Sequence, residues 1–188
     1  MGILNLTPDS FHAASQVDSM NVAATAQAMA DAGADILDLG AESSRPGAHP
    51  ISNDEELSRL LPALQAVREV CQLPLSIDTI RASTAAAALD AGADAINDIS
   101  GGEHDPGMLS LVASHGAGLI LMHKQGAPET MQDKPDYDDV VTDISAYLSQ
   151  RADAAENAGV ASDRILVDPG IGFGKTLEHN MKLLANLK

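Results

Sequence analysis

The 188-residue sequence is short of cysteine, of positive charge and of long apolar runs, and each shortage excludes something. A single cysteine, Cys71, rules out an internal disulfide. It stands in EVCQLPL with no His or Asn near it in sequence, so it reads as a plain, partly buried thiol rather than a nucleophile. Only 11 basic residues face 27 acidic ones, a formal net charge of −16. Phosphate backbones and anionic lipid surfaces repel such a chain, which argues against nucleic-acid and membrane-surface partners. A phosphorylated substrate would need local cations or a metal ion to be held. No apolar run approaches the ~18 residues of a membrane span. The first residues, MGILNLTPDSF, carry no basic region followed by an apolar one, so they do not read as a secretory signal, and a cytoplasmic location is expected. What is present is a globular composition, 45% apolar and 20% charged, long enough for one domain with a substantial core.

A repeat organises the chain. DAGADILDLG (Asp31–Gly40) is echoed by DAGADAINDI (Asp90–Ile99), and more weakly by SHGAGLILMH and NAGVASDRILVDPG. In each, an Ala-rich amphipathic stretch ends at a Gly suited to a left-handed helix terminus, and a short apolar run of strand length follows. This grammar predicts strands near Gly2–Asn5, Ile36–Leu39, Leu75–Asp78, Ala95–Asn97, Leu119–Met122 and Ile165–Asp168. It predicts helices near Ser19–Ala32, Asp54–Cys71, Arg81–Ala91, Pro106–His115, Val140–Asn157 and Leu177–Asn186. Alternation at this spacing argues a parallel sheet covered by helices, and the unalternating strands suit burial on both faces. No linker divides the chain. The stretch Lys124–Tyr137, with Gly126, Pro128 and Pro135, reads as a site loop.

The C-terminal ends of the predicted strands carry Asn5, Asp38 with Glu42, Asp78, Asn97, His123 and Asp168. A doubly wound sheet gathers polar strand ends at one switch point, whereas a (β/α)8 TIM barrel brings every strand end to one mouth. The barrel is therefore expected. Some of these residues, Asp38 first among them, could instead be helix N-caps. A barrel also needs eight units and about 250 residues, against six units here. The expectation is a single barrel domain over residues 1–188, incomplete at both ends and chiefly at the C-terminus, and hence inactive and poorly stable by itself.

Four loops carry candidate chemistry. NLTPDSF offers oxygen ligands suited to Mg²⁺ or phosphate. GAESSRPGA offers Arg45 and serine hydroxyls as an anion grip. SIDT and AINDI bring Asp78 and Asn97 to adjacent strand ends. DPGIGFGKT resembles a P-loop but fails its spacing by one residue, since the required first Gly would fall at position 169, which is Pro. Buried carboxylates need donors, and a flat aminopyrimidinone ring would suit Asp78, Asn97 and Asp168 together. An acid/base pair for hydrolysis, or a metal site using His123, remains open on these residues alone.

The segments GILNLTPDSF, GAESSRPGA, SIDT, AGADAINDISGG, LMHKQGAPETMQ and DPGIGFGKTLEHN, in this order, resemble the dihydropteroate synthase family of folate biosynthesis, the target of sulfonamides. The resemblance runs over essentially the whole chain. It implies a pterin-binding barrel that condenses 7,8-dihydropterin-6-ylmethyl diphosphate with 4-aminobenzoate and releases pyrophosphate. It implies that Asp78, Asn97 and Asp168 hold the pterin, with Ile99 and Met122 lining its slot, and that Asn5 binds Mg²⁺ with the diphosphate. Thr7, Asp9 and Arg45 would belong to loops that close over the diphosphate, and Ser44, Pro46 and Phe173 would contact aminobenzoate. A homodimer is usual in such a family. The chain departs from the family pattern at His12–Ser15, where Ser-Asp-Gly-Gly is usual, and at Ala41, Ser44 and Lys124. A Ser-Arg-Lys loop and an Arg/His pair expected of the family are not within these residues. Methyl transfer from methyltetrahydrofolate is the alternative activity for such a barrel, but those enzymes lack TPDSF and ESSRPG. Lys175 is left between two roles, facing substrate charge or facing solvent.

Overall fold

The computed structural model describes residues 1–6, 19–43, 50–126 and 135–187, with the side chains of Ser19 and Met20 outside that description. Among the described residues the strands are β1 (Gly2–Asn5), β2 (Leu37–Gly40), β3 (Leu75–Asp78), β4 (Ala95–Asp98), β5 (Gly118–Met122) and β6 (Ile165–Asp168). Between and after them run α1 (Ser19–Asp31), α2 (Asn53–Val70), α3 (Ala82–Asp90), α4 (Met108–His115), α5 (Val140–Asn157) and α6 (Leu177–Ala185). The strands form one parallel sheet in sequential order, β1 to β6. The sheet is the one expected for the barrel, strand by strand.

Boundaries shift by one or two residues for local reasons. β2 extends to Gly40 because Gly40 pairs with both Asn5 and Asp78. α4 starts at Met108 rather than Pro106 because Asp105 holds a turn there, accepting from the Gly107 amide at 2.9 Å. A short 3₁₀ turn at Ser162–Arg164, which no sequence pattern anticipated, leads into β6. The repeated AGAD turns behave as the pattern requires: Gly33 and Gly92 sit at φ +95° and +98°, conformations open to glycine.

One face of the sheet carries the apolar core. Leu4, Leu37, Leu39, Leu75, Ile77, Ile96, Leu119 and Leu121 alternate along the strands and are buried beneath the helices. Those helices contribute Val22, Ala26, Leu60, Leu64, Val67, Ala85 and Val112 to the same cluster. Cys71 belongs to it as a buried free thiol, more deeply placed than its sequence suggested. The residues between, on the other face, are the polar and small ones that form the candidate site.

Helix starts are fixed by side chains. Ser52 caps α2 by accepting from the Glu55 amide, and Asp54, Glu55 and Glu56 complement the positive end of that helix. Thr176 and His179 close a capping box on α6. α2 also contains Pro62, exposed in mid-helix, where proline removes a backbone donor and crowds the preceding turn. Pro62→Ala is therefore expected to stabilise the fold by about 1 kcal/mol or more. A chemical denaturation midpoint that does not rise in the variant contradicts this.

Candidate active site

Strand register builds the site directly. Asn5 pairs with Gly40, Gly40 with Asp78, and Asp78 with Asn97, so these positions form one row across β1–β4. Two residues earlier on the same face, Asp38 pairs with Ser76. Small residues keep this face open. A Cβ on Gly40 would lie 3.3 Å from the Asp78 Cβ, and one on Gly118 would lie 3.0 Å from the Ala95 Cβ. Ser76, Ala95 and Gly118 thus pave a floor with little side-chain bulk beneath the row.

Electrostatics single out Asp78. Burial first, and then the carboxylates of Asp38, Asp98, Glu56 and Glu42, together push its carboxyl up to about 8. No hydrogen bond to its side chain forms among the described residues. The neighbouring Asn97 is committed on one side, since its Nδ2 donates to Asp38 Oδ2 at 3.2 Å. That leaves the Asn97 carbonyl oxygen as an acceptor beside Asp78. Asp38 is 5% exposed, and its Oδ1 is buried without a hydrogen bond among the described residues. Burial raises its pKa, while Ser76 and Asn97 draw it down. Asp38 is therefore not a helix cap, as its position suggested. It lies inside β2 and orients the Asn97 amide.

The second half of the site comes from β5 and β6. Met122 pairs with Asp168, and Asp168 Oδ1 accepts from the Gly170 amide at 2.7 Å. The loop that follows is pressed onto the end of β5. A Cβ at Gly170 (φ +68°) would overlap the His123 carbonyl oxygen, and one at Gly174 (φ +66°) would lie 2.6 Å from the Gln125 carbonyl oxygen. These glycines permit a close backbone-to-backbone approach. Lys175 crosses this contact. Its Nζ donates to Phe173 O at 2.8 Å and His123 O at 3.3 Å, and lies 3.1 Å from His123 Nδ1. It is 3% exposed, so the solvent-facing reading is wrong, and its three protons are spent inside the protein. Burial lowers its ammonium to about 8, against the attraction of Asp168. Burial and the Lys175 charge lower His123 to about 4, which makes its Nδ1 an acceptor for Lys175. In GFGKT, then, the lysine ties Phe173 to β5 and the threonine caps α6.

The other candidates divide cleanly. Ile99 lines a cavity of about 70 Å³ together with Asp78, Glu42, Glu56 and Lys124. Asn5 is exposed at the end of β1, in the row with Asp78. Phe173 is half-buried. Thr7, Asp9, Ser44, Arg45 and Pro46 lie outside the described residues, as does residues 127–134 of the expected site loop. Among the described residues no group of three or more His, Cys, Asp or Glu could hold a metal ion. A larger cavity, about 380 Å³ between α5, α6 and β6, is lined by Leu148, Val167, Leu183 and Leu187 and holds none of the strand-end polar residues. Sequence reasoning passed over Asp98, whose Oδ1 accepts from the Ser100 amide and hydroxyl at 2.7 and 2.6 Å. Its only signal was a second polar residue after Asn97.

The sequence matches the family model described as pterin binding enzyme over residues 1–188. The chain belongs to the pterin-binding enzyme family. A member from Synechocystis sp., dihydropteroate synthase, is 47% identical over 188 residues, covering 100% of this chain and 65% of the relative. Among solved structures, dihydropteroate synthase from Xanthomonas albilineans with 4-aminobenzoic acid superposes with a TM-score of 0.91 at 42% identity, covering 100% of this chain and 66% of that one. The Burkholderia cenocepacia enzyme complexed with 7,8-dihydropteroate gives 0.87 at 48%, covering 100% and 64%. The chain thus spans just under two thirds of the length of these relatives. The row Asn5–Gly40–Asp78–Asn97 and the floor beneath it lie among the described residues.

Asp78 predicts a pH signature. Its folded pKa is raised from 3.8 to about 8, so between these values the folded chain holds a proton that the unfolded chain has lost. Its contribution to stability therefore falls as pH rises from about 4 towards 8. Asp78→Asn removes this penalty. Its stability advantage should be near zero below pH 4 and grow steadily with pH, reaching on the order of a few kcal/mol by pH 8. Parallel stability profiles for the two proteins across that range would contradict the assignment.

Proposed function

We propose that the protein carrying this sequence is a dihydropteroate synthase. It joins 4-aminobenzoate to the methylene carbon of 7,8-dihydropterin-6-ylmethyl diphosphate and releases pyrophosphate. The observation that carries this reading is the Asp78 carboxyl, half-buried and without a hydrogen-bond partner among the described residues, registered beside an Asn97 amide already oriented by Asp38. That set needs a flat partner rich in N–H donors. Similarity to enzymes solved with 4-aminobenzoic acid and with 7,8-dihydropteroate supports the same substrates.

The chain's residues divide the work. Asp78 and Asp168 accept from the ring, Asn97 presents its remaining carbonyl, and Ile99 and Met122 wall the ring faces. The carbon–oxygen bond to diphosphate breaks, and positive charge spreads into the pterin beside those carboxylates. The aminobenzoate nitrogen forms the new carbon–nitrogen bond and loses one proton to solvent or departing pyrophosphate. Ser44, Pro46 and Phe173 position that amine, and Thr7, Asp9 and Arg45 hold the diphosphate. Asn5 offers one amide oxygen, which fits a Mg²⁺ carried in by the diphosphate rather than a cage of protein carboxylates. Such an ion supplies charge neutralisation at the leaving group. Sulfonamides would compete where aminobenzoate binds. The same reading includes a homodimer in the cytoplasm. Among the described residues no helix is long and apolar enough to cross a membrane. Methyl transfer from methyltetrahydrofolate is disfavoured by TPDSF and ESSRPG in the sequence.

The direct test is formation of dihydropteroate from the two substrates with Mg²⁺, and its loss on chelation. Asp168→Asn is expected to lower turnover about 100-fold with the fold intact. Unchanged turnover removes Asp168 from the site. Pterin binding at pH 7 should also release roughly one proton, because N–H donors favour the ionised form of Asp78. Calorimetry in buffers of differing ionisation enthalpy reads this number, and zero would contradict the pairing.

A further inference from the structure

Lys175 has no part in the chemistry proposed above, yet the Asp168 carboxylate attracts its buried ammonium. Strand alternation puts Asp168 on the face that carries Asp78 and Asn97. Asp78 pairs with Asn97, Asn97 with Ile120 and Ile120 with Leu166, and Asp168 follows Leu166 by two residues on β6. Among the described residues its Oδ1 accepts from the Gly170 amide at 2.7 Å, and no hydrogen bond to its Oδ2 forms.

The placing of that Gly170 amide depends on the turn it belongs to. The Phe173 amide donates to Gly170 O at 3.1 Å, which closes the turn. The turn lies on the end of β5, where the His123 amide donates to Asp168 O at 3.0 Å and a Cβ at Gly170 would overlap the His123 carbonyl oxygen. Lys175 grips the same carbonyl. Its Nζ donates to His123 O at 3.3 Å and to Phe173 O at 2.8 Å, and His123 Nδ1 lies 3.1 Å away as its third acceptor. Strand end and turn are thus joined through one ammonium. A second hold comes from the Tyr137 hydroxyl, which donates to Gly174 O at 2.8 Å.

An ammonium is a costly way to fill this space. Burial lowers it to about 8, and a methionine of similar length would avoid that penalty. What the lysine supplies is direction, because three donors meet two carbonyls and a ring nitrogen that an apolar side chain would leave unpaired.

We propose that Lys175 is a positioning residue for Asp168: by pinning the turn to the His123 carbonyl it fixes the Gly170 amide, which holds Asp168 Oδ1 and leaves Oδ2 as the acceptor for a ligand on the Asp78–Asn97 face. Lys175 touches no reacting atom. Its effect on ligand affinity rests on the dihydropteroate synthase reading, while its effect on the turn does not.

A double-mutant cycle in the protein as it naturally occurs tests this, with 6-hydroxymethyl-7,8-dihydropterin as the probe and calorimetry as the readout. Lys175→Met is expected to weaken binding about tenfold, but less than about twofold when Asp168 is already replaced by Asn, because the lysine acts through that carboxyl. His123→Leu removes one acceptor and leaves both carbonyls, and should weaken binding about threefold. His123→Asn, whose side-chain oxygen can stand where Nδ1 does, should bind like wild type. Exchange of the Gly170 amide should quicken about tenfold in Lys175→Met, with the interiors of β3 and β4 unaffected. The same loss from Lys175→Met with and without the Asp168 carboxylate overturns the proposal, and so does wild-type affinity in Lys175→Met. If Lys175→Met does not fold, the two His123 variants decide, and equal affinities in them overturn it. If the wild-type protein binds no dihydropterin, the functional reading fails, and Gly170 exchange alone decides the pin: an unchanged rate, or a rise spread evenly over the sheet, refutes it.

Discussion

Mutual repulsion among carboxylates at one end of a parallel sheet is the constraint on which the rest of this structure depends. Asp38, Asp78, Glu42 and Glu56 are brought together by the register of β2 and β3 and by the first turn of α2. Water cannot screen them fully there. Arg81 pairs with both Glu42 and Glu56, and the Asn97 amide serves Asp38. Asp78 alone is left without an internal partner among the described residues. The arrangement thus leaves the Asp78 carboxyl with both oxygens in need of donors, the property a donor-rich ligand can use.

Much of the fold was legible because its signals are local and repeated. The AGAD repeats mark where α1 and α3 end and β2 and β4 begin, and the apolar runs have no competing helical period. The strand-end positions of Asp78, Asn97 and Asp168 followed from the same count. What stayed hidden depended on contacts between residues far apart in sequence. Asp38 looked like a cap because Asp often is one, and only the approach of Asn97, 59 residues on, reveals its place inside the sheet. Asp98 was invisible beside Asn97 because alternation on a four-residue strand is too short to separate the two faces. Arg81 carried no motif at all, and its two carboxylate partners come from distant segments.

GFGKT shows how one string of residues can satisfy two grammars. Its glycines and Lys-Thr pair are those of a nucleotide-binding loop, but here each solves a packing problem. Gly170 and Gly174 let the β6–α6 loop lie against the His123 and Gln125 carbonyls. Lys175 then collects the acceptors that this close approach leaves inside, and Thr176 starts α6. The result ties the Phe173 backbone to His123 through a buried charge.

The floor of Ser76, Ala95 and Gly118 has a consequence for how such a site can change over time. Its width is set by what those positions lack: a Cβ added at Gly118 would lie 3.0 Å from the Ala95 Cβ, so bulk cannot be added there without displacing a neighbouring strand. A larger side chain at any of these positions would narrow the open face beside Asp78, so the floor is expected to keep its composition.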